Sequence, residues 1–128
     1  MNRLLPFVFL VLFIACNSKH NQDKPTIRIS QDSLKSISIQ WKQDSLGCAQ
    51  QRDPKKIRQL IDQLNLIGKD SIATIEYLGI PDGRNKPNDS LVVFYYYMAC
   101  GVRNHSSYNF YCFFEGNKLA STHTMVLN

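Results

Sequence analysis

Leu91-Val92-Val93-Phe94-Tyr95-Tyr96-Tyr97-Met98 is an unbroken β-branched and aromatic run, a composition that suits a pleated, packed surface rather than a helix. Two more runs of the same character follow, at 108–114 and 119–126. Between them, residues 101–107 read as a longer hairpin loop and Glu115-Gly116-Asn117-Lys118 as a hairpin turn. Consecutive strands joined in this way pair antiparallel, so the C-terminal half predicts a three-stranded meander.

Upstream of these strands, residues 80–89 hold Pro81, Asp82, Gly83, Asn85, Pro87 and Asn88 and read as a loop. Before that loop, either Asp70 or Ser71 can cap a short helix that carries Ile72, Ile75 and Leu78 inward, and Gly79 followed by Pro81 stops it. Earlier still, Asp53 stands as N-cap and Pro54 at the first helical position, while Ile57, Leu60, Ile61 and Leu64 repeat at helical spacing. That pattern predicts a helix over 54–65, with Lys55, Lys56 and Arg58 as its solvated face. Ile27 and Ile29, then Ile37, Ile39 and Trp41, alternate with polar residues, which predicts short half-buried extended segments, with irregular chain as the alternative for stretches so short. The expected fold class is α+β, two helices packed on a three-stranded antiparallel meander in an ααβββ two-layer sandwich. Aromatic residues fall on both faces of the first two strands. One face must be core; the 27–41 segment, whose apolar residues need a partner, is expected to cover the other, the alternative being a binding surface.

The chain has 128 residues, with 15 Lys plus Arg against 10 Asp plus Glu, a net charge of +5. That length holds one domain and excludes a nucleotide-binding fold beside a substrate domain. The basic residues are scattered apart from Lys55-Lys56-x-Arg58, so the excess reads as solubility, with no nucleic-acid partner.

The N-terminus carries an address. Met1-Asn2-Arg3 sets a positive charge before an apolar run at 4–14, and Ala15 precedes Cys16. These are the parts of a secretory leader, and the run is short of the roughly 20 residues that span a bilayer. Its end, Phe13-Ile14-Ala15-Cys16, resembles a bacterial lipobox, which implies cleavage after Ala15 and acylation of Cys16, palmitate included. Residues 1–15 are then a lipoprotein signal peptide, 16–25 a polar flexible tether, and 26–128 a single domain. Asn17, by resemblance to lipoproteins of enteric bacteria, implies release to the outer membrane, facing the periplasm.

Leu66-Ile67-Gly68-Lys69-Asp70-Ser71-x-x-x-Ile75-x-x-Leu78-Gly79-x-Pro81-Asp82, followed by Phe94-Tyr95-Tyr96-Tyr97, resembles the small envelope lipoproteins of the SmpA/OmlA (BamE-like) family. Those proteins have a Gly-led capped helix, then Leu-Gly-x-Pro, a loop and an aromatic strand. Trp41-Lys42-x-Asp44-x-x-Gly47-Cys48-x-x-x-Arg52 departs from that pattern, but is similar to a motif in uncharacterised relatives that carry a second Cys after the first strand, where Cys100 stands here. The resemblance implies an envelope protein that binds another protein and has no chemistry of its own.

Once Cys16 is assigned to lipid, Cys48, Cys100 and Cys112 remain, and an exported location permits a disulfide. Cys48 follows Gly47 and Cys100 precedes Gly101, both near element ends, whereas Cys112 sits inside an aromatic strand and reads as a small buried hydrophobe. Cys48 to Cys100 is the preferred pair, closing a loop of about 50 residues and contributing roughly 3–4 kcal/mol; Cys100 to Cys112 is the alternative. Cys48, Cys100, Cys112, His105 and His123 lack zinc-ligand spacing, so no metal is expected. Cys112 with His123 is a poor nucleophile pair in so apolar a strand. Glu76 and Glu115, the only Glu residues, fall on a helix and in a turn, and no phosphate loop or nucleophile elbow is present. The expectation is a lipid-anchored cell-envelope protein with no enzymatic activity, cofactor or small-molecule substrate. It would act by protein–protein interaction in outer-membrane assembly or maintenance. The alternative is a periplasmic enzyme inhibitor or immunity-type lipoprotein of related helix-and-sheet layout.

Overall fold

The computed structural model describes residues 28–99 and 107–127. The leader and tether expected at 1–25, with Cys16, lie outside the described residues, as do Cys100 and the loop 101–106. The fold is α+β: three helices, α1 (Gln31–Gln43), α2 (Pro54–Gln63) and α3 (Ser71–Leu78), then strands β1 (Gly83–Asn85), β2 (Leu91–Tyr97), β3 (Ser107–Glu115) and β4 (Lys118–Leu127). The strands form one antiparallel sheet in the order β1-β2-β3-β4. The meander is therefore present, with one more helix and one more strand than the ααβββ expectation.

The additional helix is α1, and it replaces the extended segments expected from Ile37, Ile39 and Trp41. Ser30 caps it, its hydroxyl accepting from the Ser33 N–H. The buried face repeats Leu34, Ser38 and Trp41 at helical spacing, with Ile37 packed beside it. A serine occupies the middle of that stripe because its Oγ donates to the Tyr77 carbonyl at 2.6 Å. With Ser38 counted as polar, the residues that remained apolar alternated.

α2 begins at the expected place, Asp53 accepting from the N–H groups of Lys55 and Lys56, and buries Ile57, Leu60 and Ile61. It ends at Gln63, two residues before the expected end at Asn65. Asn65 takes a left-handed φ of 50°, and the Asn65 N–H donates to Asp62 O while the Leu66 N–H donates to Ile61 O. This is a Schellman stop with Asn in the glycine position. In α3, Asp70 is the cap, accepting from the Ala73 N–H at 2.9 Å. Ile72 does not point inward as expected: it is 75% exposed, and Thr74 and Leu78 hold the buried face. Thr74 fits there because its hydroxyl donates to the Asp70 carbonyl.

The fourth strand, β1, lies inside the stretch expected to be all loop. It pairs with Val93, Phe94 and Tyr95 of β2, and the Tyr95 ring crosses Gly83 where any Cβ would stand. β3 and β4 join through Gly116 and Asn117, both at positive φ (54° and 64°), as a tight two-residue hairpin requires. A bulge follows: Phe114 opposes Leu119 while Phe113 opposes Ser121, leaving Ala120 over.

All three helices pack on one face of the sheet. Phe94, Tyr96, Phe110, Cys112, Phe114 and Leu119 turn toward Trp41, Ile57, Leu60, Ile61, Leu66 and Leu78 to form the core. Trp41 meets Tyr96 and Phe110 edge-on, centroids 5.7 and 5.5 Å apart. The segment expected to cover the second sheet face thus packs on the first. Its helical stripe could reach the core only by joining the other two helices.

Candidate interaction surface

Two constructions stand out, one closed and one open. The closed one surrounds the end of β2 and collects the residues of the Trp41 to Arg52 motif. The chain after α1 makes a 3-10 turn at Ser45–Gly47. Gly47 there has φ 67°, and a Cβ on it would stand 2.6 Å from the Met98 carbonyl carbon and the Tyr97 oxygen. Only glycine allows that approach. Asp44, buried, accepts from the N–H groups of Ala49 (2.7 Å), Gln51 (2.7 Å) and Arg52 (3.3 Å). The Arg52 guanidinium, also buried, pairs with the Asp82 carboxylate and donates to Tyr97 O at 2.8 Å and Trp41 O at 3.3 Å. It lies 5.3 Å from the Trp41 ring centroid and 5.6 Å from that of Tyr96. Asp82 also accepts from the Tyr97 N–H at 2.8 Å. Arg52 and Asp82 meet as opposite charges and Asp44 is met by backbone N–H dipoles, so the cluster is a lock joining α1, β2 and the loop before β1. In the sequence Asp44 and Arg52 carry no role beyond their place in the Trp41 to Arg52 motif, Cys48 is expected only as a disulfide partner, and Asp82 falls in a loop at the end of the Leu66 to Asp82 segment. Asp44 and Arg52, spaced among Trp41, Gly47 and Cys48, were the available signal.

Cys48 lies beside this lock and is disulfide-bonded, and its expected partner Cys100 is outside the described residues. Cys112 is a free, buried thiol, which removes the alternative Cys100 to Cys112 bridge. Burial pushes the Cys112 thiol well above its usual value, so it stays protonated. His123 opposes Tyr111 and packs on Phe113, whereas Cys112 opposes Thr122 on the core side, so the two lie on opposite faces. The sheet therefore separates the one Cys–His pair that the sequence suggested. No cluster of three His, Cys, Asp or Glu side chains occurs among the described residues. Glu76 is on α3 and Glu115 ends β3. Lys55, Lys56 and Arg58 are exposed on α2, as expected of a solvated face.

The open construction is the sheet face opposite the helices. Alternation along the strands places Val93, Tyr95 and Tyr97 of β2, Tyr111 and Phe113 of β3, and His123 of β4 there. Their rings touch in sequence: Tyr97 to Tyr95 at 5.7 Å, Tyr95 to Tyr111 at 6.3 Å, Tyr111 to Phe113 at 6.2 Å, and Phe113 to His123 at 5.5 Å. The rings shield one another: Val93 and Tyr111 are buried and Tyr95, Tyr97 and Phe113 half-buried, although no described helix covers them. Asn109 donates to the Tyr111 hydroxyl at 3.1 Å and fixes its tilt. Lost solvation, and then the neighbouring Tyr95, raise the Tyr97 phenol above its usual value, so it is neutral at physiological pH. A row of packed aromatic rings with polar hydroxyl tips can contribute contact area at small cost in side-chain entropy.

A separate groove of about 430 Å³ runs between α1 and α3, with Leu34, Ile39, Leu64 and Tyr77 in its walls and Lys35, Lys42 and Glu76 around them. Lys42 there donates to the Glu76 carbonyl at 3.1 Å. No helix among the described residues is long and apolar enough to cross a membrane. Comparison with family models, curated proteins and solved structures finds no match to this chain.

Proposed function

We propose that the chain is a lipid-anchored cell-envelope protein, held at the periplasmic face of the outer membrane through Cys16, that works without catalysis by docking another protein. Its role in this reading is the assembly or maintenance of the outer membrane. The observation that carries the docking part is the row of rings from Tyr97 to His123 on a sheet face that no described helix covers. Tyr-rich faces of this kind suit interface cores. The leader and Cys16 support the anchored part, and the resemblance of the Leu66 to Asp82 segment to SmpA/OmlA lipoproteins supports the envelope role. Cys100 is the proposed partner of Cys48: Gly47 lies against the backbone of Tyr97, Met98 and Ala99, bringing Cys48 to the chain immediately before Cys100.

The test is capture of the full-length lipoprotein from gently crosslinked envelopes, with Cys16→Ala as the control for membrane placement and Tyr97→Ala with Phe113→Ala as the control for the face. Recovery of barrel-assembly components by the wild type, lost in both controls, is the expected result. Recovery of one soluble hydrolase by wild type and Cys16→Ala alike would overturn the assembly role in favour of an inhibitor or immunity protein. Undiminished capture by the Tyr97 and Phe113 variants would overturn the assignment of the face.

A further inference from the structure

β4 is the outer strand of the sheet, and at its start the chain around Lys69 shields it. The Gly68 N–H donates to Leu119 O at 2.8 Å and the Leu119 N–H donates to Lys69 O at 2.7 Å, while Asp70 bridges Lys118. Beyond Leu119 no strand lies alongside β4 among the described residues. The hydrogen-bond phase shows which groups face outward. The Met98 N–H donates to Tyr108 O, so alternate residues of β3 bond to β2, and the intervening Asn109, Tyr111 and Phe113 bond to Met125, His123 and Ser121 of β4. Thr122, Thr124 and Val126 therefore turn their backbone N–H and C=O groups outward.

Natural sheets protect such an edge with charge, Pro, bulges or brevity. Here residues 119–127, Leu-Ala-Ser-Thr-His-Thr-Met-Val-Leu, contain no Lys, Arg, Asp, Glu, Pro or Gly. The bulge in the β3–β4 pairing is at Ala120, ahead of the open stretch. The same end of the strand exposes Met125, Val126 and, opposite Val126, Tyr108. The charged side chain that touches the open stretch is basic. Arg58 reaches across from α2 to donate to Thr124 Oγ1, and Lys55 lies one turn before it on the exposed side of that helix. Lys69 and Lys118 stand at the strand's start, where Asp70 is engaged as the cap of α3 and Glu115 lies opposite Lys118; Asp62 follows one turn beyond Arg58.

This arrangement discriminates between occupants. A second copy paired antiparallel about Thr124 would bring its Arg58 against this one, a like-charge contact at the centre of the pairing. An extended segment with carboxylates on its helix-facing side meets Arg58 and Lys55 with the opposite sign. We propose that the outer edge of β4 from Thr122 to Val126 binds an extended acidic segment of a partner protein by strand addition, with Arg58 selecting its carboxylates. The inference rests on the reading that the chain acts by protein contact, but it uses a different surface from the row of rings.

The test is fluorescence anisotropy with the full-length protein in detergent and two short synthetic peptides of alternating Val and Thr, one bearing Glu and one Lys on a single face. The Glu peptide is expected to bind about tenfold or more tightly than the Lys peptide at low salt. Thr124→Pro, which removes an outward N–H and no ladder bond, abolishes binding, and Arg58→Glu inverts the preference even if the Pro variant does not fold. Tyr97→Ala leaves binding unchanged, which separates failure of this site from failure of the aromatic face. Equal affinity for the two peptides, or no binding of either, overturns the proposal. So does a dimer in sedimentation velocity that Thr124→Pro dissolves, since a second copy then occupies the edge.

Discussion

Arg52 and Asp82 are worth more as a pair than either is alone, because each is held out of water with side-chain exposures of 2% and 7%. Arg52→Ala strands the Asp82 carboxylate and releases the Trp41 and Tyr97 carbonyls together, and a loss of about 3–5 kcal/mol is expected in urea unfolding with an unchanged slope. Arg52→Lys should recover only part of that, since one ammonium cannot reach all three acceptors. Cys112 makes the folded state sensitive to alkali. Its folded thiol holds its proton to a higher pH than the unfolded chain's, whose ordinary value is 9.0. The raised folded value means that stability is fully present below about pH 9 and falls as pH rises beyond it, by up to about 1.4 kcal/mol per pH unit. Tyr96, whose phenol is pushed up chiefly by burial and then by Cys112, should add to the fall above about pH 10. Unfolding at pH 8 and pH 10 measures this, and Cys112→Ala should remove the first component; an equal fall in that variant would show that the thiol is not its source.

The connections between elements depend on the chain's closest approaches. Gly47 and Gly68 both have positive φ, 67° and 84°, yet an added Cβ meets the backbone of Met98 at the first and nothing within 4 Å at the second. Gly68→Ala should therefore cost only about 1–2 kcal/mol, the conformational penalty alone. Gly47→Ala adds a backbone collision, so a loss of at least about 3 kcal/mol is expected. Thermal melts of the pair give the comparison directly. On α3, Ile72 is the informative position. Because Thr74 and Leu78 hold the buried side, Ile72→Lys should change stability by no more than about 0.5 kcal/mol, whereas a residue packed inward would cost several times that.

At the scale of the whole molecule the sheet has one face in the core and one bearing rings, and the Cys48 disulfide ties the turn after α1 to the rest of the chain. If Cys100 is its partner, Cys48→Ser should lower stability by about 3–4 kcal/mol and leave a second thiol that labels without prior reduction. What was legible in the sequence was local. Asp53-Pro54 and the Ile57, Leu60, Ile61 stripe set α2 in place, Asp70 and Gly79 bounded α3, and the runs at 91–98, 108–114 and 119–126 became β2, β3 and β4, because caps, turn residues and side-chain period act within a few residues of where they stand. α1 was not legible, since Ser38 belongs on the buried face only when the Tyr77 carbonyl is there to receive its hydroxyl. β1 was not legible either, being three polar residues that become a strand only under Tyr95. The lock at Arg52 joins residues from four separate stretches of chain, and the open aromatic face exists because Trp41 found Tyr96 and Phe110 on the other side. Sequence by itself determined the helices and strands whose signals are local; the tertiary structure alone decided which side of each is buried, which charges meet and which sheet face is left to a partner, because those outcomes are set by contacts between residues far apart in the chain.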